Sequence, residues 1–214
     1  RIYDNRVSLS KLGIEIRGRS AKLKINYRTT HEILDWSLRL LTGETFDDLD
    51  GGTDTLAGYR STFHGTRPEL VGYRTTGEEI DGLVVAVKAW AAANVDPGDI
   101  GVAARTRHAL DLAEKSLRAA GIPARLLAEA REDGHVAIGT MHRMKGMEFR
   151  AVAVIDASEA RLPGWVTQES VDELQHRQDL QRERCLAYVA CTRARDILRV
   201  SWTGKPSPLL SVEA

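Results

Sequence analysis

The 214-residue chain is 43% hydrophobic and 28% charged, with 30 basic and 30 acidic side chains and no formal net charge. It is long enough for one ordinary core, and no stretch approaches the roughly 18 uninterrupted apolar residues of a membrane-spanning helix, so no membrane partner is expected. It is not a uniformly basic nucleic-acid module, so any such binding is local.

Two cysteines, Cys185 and Cys191, can make neither a disulfide framework nor a zinc site. They read as small buried residues of a reduced, cytoplasmic protein. The first residue is Arg1, with no charged-then-apolar leader, which reads as a piece of a longer chain. Residues 1 to 28 hold eight Lys or Arg against Asp4 and Glu15, and residues 29 to 60 hold seven acids against Arg39 and Arg60. The simplest reading of such runs is a solvated face.

In chain order, Leu23 to Tyr27 predicts a strand, with 1–22 as a basic leading segment. Thr30 to Leu41 predicts a helix, with Ile33, Leu34, Leu38 and Leu41 on one face and the Thr30 hydroxyl as N-cap. Glu44 to Pro68, rich in Gly, Thr and Asp, predicts a long surface loop. Glu69 to Tyr73 predicts a strand, about Glu78 to Ala93 a helix, and Ile100 to Ala104 a buried strand. Arg107 to Ala120 predicts a helix ended by Gly121 and Pro123. Short strands are expected at Ala124 to Leu127 and His135 to Gly139, and a stronger one at Ala151 to Ile155. A helix with a break is expected over Glu169 to Ala194, then a closing strand over Ile197 to Trp202. This alternation predicts an α/β fold, a mainly parallel sheet with helices on both faces.

Such sheets bind ligands at the carboxyl ends of their strands. Three charged segments are expected there: 26–30, 140–149 and 190–195. Singly, each has a bland explanation, such as a surface arginine at Arg28, a loop histidine at His142, or a cation offsetting a helix dipole at Arg193.

Together the segments resemble one family, the second RecA-like motor lobe of UvrD/Rep-type superfamily-one DNA helicases. Leu23-Lys24-Ile25-Asn26-Tyr27-Arg28-Thr29 resembles its fourth motif. Val136 to His142 with Lys145-Gly146-Met147-Glu148-Phe149 resembles the fifth, and Arg182 to Ala194 the sixth. Arg1-Ile2-Tyr3 resembles the tail of the third, and Gly101 to Thr106 the connecting region.

The resemblance implies ATP with Mg²⁺ as cofactor, and single-stranded DNA and an N-terminal RecA-like lobe as partners. It implies that Tyr27 stacks on adenine, that Arg28 and Arg193 reach the terminal phosphate as catalytic residues, and that Glu148 accepts from ribose hydroxyls. Gly146 would let the backbone approach the nucleotide. Thr140, His142, Arg143 and Lys145 would line the DNA track. The 214 residues contain no Gly-x-x-x-x-Gly-Lys-Ser/Thr phosphate loop, so half an ATP site is expected, with Mg²⁺ ligands in the absent lobe. The accessory insertion common in the family is expected to be missing near 128–134. The alternatives are a non-catalytic nucleic-acid-binding or regulatory module on a degenerate motor fold, and a motor lobe of a nuclease-linked recombination subunit.

Overall fold

The computed structural model describes residues 24–44, 46–47, 53–54, 58–127, 134–164 and 172–210. The leading segment 1–22, the Arg1-Ile2-Tyr3 motif tail and most of the 128–134 connection lie outside these. In order, the elements are β1 (Ile25–Asn26), α1 (His31–Arg39), β2 (Phe46–Asp47), β3 (Thr53–Asp54), β4 (Arg60–Ser61), β5 (Glu69–Tyr73), α2 (Thr76–Ala92), β6 (Ile100–Ala104) and α3 (Arg107–Ala119). Then follow β7 (Ala124–Leu126), β8 (Val136–Thr140), β9 (Phe149–Val154), α4 (Glu173–Cys191) and β10 (Ala194–Thr203).

Six strands form one sheet in the order β5-β10-β9-β6-β8-β7, and each neighbouring pair is parallel. Side chains alternate across it with the period of two that a pleated strand imposes. Val152, Val154, Ala103, Leu198 and Val200 pack under α1 and α4, with Ile33, Trp36, Leu186 and Ala190. Ala151, Ala153, Ile100, Val102 and Ile138 pack under α2 and α3, with Leu83, Val87, Leu110 and Leu117. Burial on both faces explains why β6 and β9 read as continuous apolar runs. Among the described residues no helix is long and apolar enough to cross a membrane.

Four expectations are corrected. The motif-four strand is not part of the main sheet: β1 pairs with β4 in a separate two-stranded ribbon. The stretch 44–68 is not simply a loop, because β2 and β3 form an antiparallel pair and β4 follows. Helix α4 runs unbroken from an Asp172 cap that accepts from the Leu174 N–H. Thr30 is the residue at the α1 N-cap position, but its hydroxyl makes no capping bond and is buried without a partner. A fifth difference is smaller. Helix α2 starts two residues early, at Thr76, because Thr75 and Glu78 form a reciprocal capping box that satisfies the free N–H groups of the first turn.

The connection between β8 and β9 positions the site. Thr140 stands level with Ala104 of β6, whereas Ala151 stands level with Ile100, so Phe149 lies below the start of β6. Residues 141–148 therefore carry the chain back along the sheet by on the order of 20 Å. Met141 and Met144 anchor this return in the core beneath α4.

Candidate functional site

The return divides the expected site residues between two edges of the sheet. At the amino ends of β9 and β10, the Thr29 hydroxyl donates to the Ala194 carbonyl at 2.6 Å. The Thr30 N–H donates to Arg195 O at 3.1 Å, and the Phe149 N–H to Arg193 O at 3.0 Å. These bonds draw motif four, the end of motif five and the end of motif six together. The nucleotide-type residues thus sit at the amino edge of the sheet, which corrects the expectation of a carboxyl-edge location for segments 26–30 and 190–195. Loops at either edge can build a site; here the edge is set by where the return segment and α4 end.

A groove of about 530 Å³ opens there, lined among others by Tyr27, Arg28, Tyr59, Glu148, Tyr188, Thr192 and Arg193. Tyr27 is 69% exposed, a flat ring free to meet another flat group. Arg28 Nε lies 2.8 Å from Glu148 Oε2, both half exposed. Arg193 is more restrained. Its Nε donates to Val189 O at 2.9 Å and its Nη1 to Met147 O at 3.2 Å. Burial and then the nearby Arg28 charge lower its pKa, and a guanidinium so far above neutrality stays charged. The groove therefore presents two cations and an aromatic face. Gly146 has φ 85°, and no neighbour lies within 4 Å of where its Cβ would be. Its glycine character serves the backbone turn.

The other expected residues lie along the return and at the carboxyl edge. Thr140 ends β8 and is half-buried, His142 is half-buried, and Arg143 and Lys145 are exposed. Arg143 Nη1 donates to Leu127 O at 3.0 Å, which turns this side chain toward the β7 side of the edge. His142 has its pKa lowered, first by burial and then by the charge of Arg105, against an opposing pull from Glu183. The structure thus brings Tyr27, Arg28, Glu148 and Arg193 together and holds Thr140 and His142 apart from them.

Sequence reasoning missed the Arg105–Glu183 pair. Arg105 follows β6, and its Nε and Nη2 donate to the two Glu183 carboxylate oxygens at 2.8 and 2.9 Å. A charged residue directly after a buried strand was the available signal, but its partner is 78 positions away. Among the described residues no group of three or more His, Cys, Asp or Glu side chains is placed to hold a metal ion.

Comparison with solved structures places this arrangement in a class. The C-terminal domain of a possible DNA helicase from Lactobacillus plantarum WCFS1 superposes with a TM-score of 0.61 at 21% identity, covering 87% of this chain and 92% of that one. The fold is that of a RecA-like helicase C-terminal domain. Residues 126–205 match the family model of the UvrD-like helicase C-terminal domain. The ATP-dependent DNA helicase PcrA of Staphylococcus aureus, in strains Mu50 and NCTC 8325 alike, is 34% identical over 73 residues, 34% of this chain. The chain spans about 10% of the length of those relatives in that match. Residues 126–205 are similar in sequence to the UvrD-like helicase C-terminal domain, and the fold resembles that of a helicase C-terminal domain.

Proposed function

We propose that this chain is the C-terminal motor lobe of an ATP-dependent DNA helicase or translocase. It contributes half of an ATP site and part of a track for single-stranded DNA. The observation that carries the reading is the convergence of Tyr27, Arg28, Glu148 and Arg193, from three separate segments, on one groove.

The residues present suit a nucleoside triphosphate. Tyr27 offers a face for the base, Glu148 an acceptor for ribose hydroxyls, and Arg28 and Arg193 planar forks of donors for phosphate oxygens. Arg193, tethered by two backbone carbonyls, is positioned before any ligand arrives, as stabilisation of charge on a transferring phosphoryl group requires. Hydrolysis of the triphosphate supplies the free energy. An N-terminal RecA-like lobe would supply the phosphate loop and the Mg²⁺ ligands. Thr140 and His142, with Arg143 and Lys145, would contact the strand's phosphates at the other edge. The two buried thiols, neither in a disulfide, suit a reducing, cytoplasmic compartment.

Steady-state phosphate release tests the reading. The full-length protein should hydrolyse ATP with strong stimulation by single-stranded DNA, and the isolated 214-residue chain should bind ATP weakly without turning it over. DNA-stimulated turnover by the isolated chain would overturn the half-site reading, and a full-length protein without ATPase activity would overturn the motor reading.

A further inference from the structure

The fork-to-fork Arg105–Glu183 pair sits at a junction that none of the nucleotide or strand contacts uses. Glu183 is buried on α4, eight residues before the last helical residue, Cys191. At 1.5 Å rise per residue that is about 12 Å from the helix end, where Arg193 projects into the groove. The helix runs from the carboxyl edge of the sheet, after β9, to the amino edge, before β10.

At the carboxyl edge Glu183 gathers neighbouring segments. It accepts two bonds from Arg105, directly after β6. It also accepts from the Gly164 N–H at 3.3 Å, on the loop after β9. A Cβ on Gly164 would lie 3.0 Å from Arg105 Nη2, so the loop backbone rests on the guanidinium. The segment after β8 is bound to the same place. Met141 N–H donates to Ala104 O at 3.0 Å, and the charges of Arg105 and Glu183 both act on His142.

We propose that Glu183 is a positioning residue. Through Arg105 it fixes α4 to the carboxyl-edge loops that hold Thr140 and His142, so that one helix registers strand contact at one edge and phosphate contact at the other. The inference rests on the proposed motor function. A buried two-bond ion pair suits this task because it fixes direction as well as distance. Against an apolar replacement it contributes little net stability, so what the pair supplies is geometry rather than folding energy.

The test uses the full-length protein, with ATP turnover followed as oligo(dT) is added. Glu183→Gln keeps the shape but loses the charge, and Arg105→Lys keeps the charge but loses the fork. Both should keep DNA-free turnover and the KM for ATP within about twofold and bind oligo(dT) within about threefold. Stimulation by DNA should fall at least tenfold, and Glu183→Asp should recover part of it. A merely structural pair would instead lower basal and stimulated rates together, and that result overturns the proposal. Full stimulation in either folded variant also overturns it. If the unaltered protein shows no ATP turnover, the motor reading fails and this inference fails with it.

Discussion

Arg28 Nε and Glu148 Oε2 stand 2.8 Å apart across 120 positions of sequence, on a groove open to solvent. An ion pair this exposed is worth at most about 1 kcal/mol, so either partner exchanges the other for a ligand at little cost. The pair therefore keeps the arginine aimed into the groove without locking it there. In the full-length protein, Arg28→Ala and Arg193→Ala should each lower kcat by about 10³-fold or more and change the KM for ATP far less, because the contact proposed for each would act on charge at the reacting phosphate. Tyr27→Ala should chiefly raise KM, since stacking is the same before and during reaction. Steady-state ATPase assays with single-stranded DNA separate these effects, and the opposite division would reassign the residues.

Glu79 is a carboxylate at 2% exposure in the sheet-facing side of α2. It accepts from the Asp156 N–H at 2.9 Å, from Ser201 Oγ at 2.6 Å and from Thr203 Oγ1 at 2.8 Å. It thereby joins α2, β10 and the end of β9. Glu79→Ala strands three donors together and should cost roughly 3 kcal/mol. Urea unfolding of the 214-residue chain measures it. A loss below about 1 kcal/mol would mean that the donors find other partners.

Two glycines should respond differently to alanine. A Cβ on Gly101 would lie 2.7 Å from Phe149 Cδ2, and Phe149 is fully enclosed in the core, so the ring must move at a cost of roughly 1–3 kcal/mol. Gly146 has space around it but a left-handed backbone, so alanine there should cost about 1 kcal/mol. Denaturant midpoints of the two variants should fall in that order, and the reverse order would remove the steric explanation.

His142 gives a pH dependence with a definite sign. Its folded pKa lies below the ordinary 6.5, chiefly through burial and then through the Arg105 charge. The folded state thus takes up its proton later than the unfolded chain does. The stability tied to the neutral ring is present above the unfolded value and is lost as pH falls through the folded one. The His142 imidazole should titrate below 6.5 by NMR. The fall in Tm between pH 7 and 5 should be smaller in His142→Gln than in the unaltered chain, whereas an equal fall in both would place the sensitivity elsewhere.

The strands β5 and β6 were legible residue for residue, because each is a short apolar run closed by Pro, Gly or polar neighbours. The α2 start was missed although Thr75-Thr76-Gly77-Glu78 spells its capping box. That signal was outweighed by the apolar periodicity beginning at Ile80. The membership of β1 could not be read at all. Its apolar stretch looks like a central strand, and only its partner, β4, hidden in a Gly- and Thr-rich stretch, removes it from the sheet. The site residues were found as motifs, but their edge was not. Which end of a sheet a segment meets depends on strand order and on how far the preceding connection travels, and neither is local. The same applies to Arg105 and Glu183, each an unremarkable charge until the fold sets them fork to fork.

The return from β8 to β9 imposes a rule on length. Residues 141–148 must cover on the order of 20 Å while Met141 and Met144 stay buried beneath α4, which leaves little chain to spare. Substituting an outward-facing side chain there leaves the path of the backbone unchanged. One residue more or fewer would instead shift Glu148 against Arg28, or pull Thr140 and His142 away from β6. The interval from Thr140 to Phe149 is therefore a fixed measure, closed to insertion and deletion. In sequences of the same lobe it should align without a gap, even where the surface connections on either side of it differ in length.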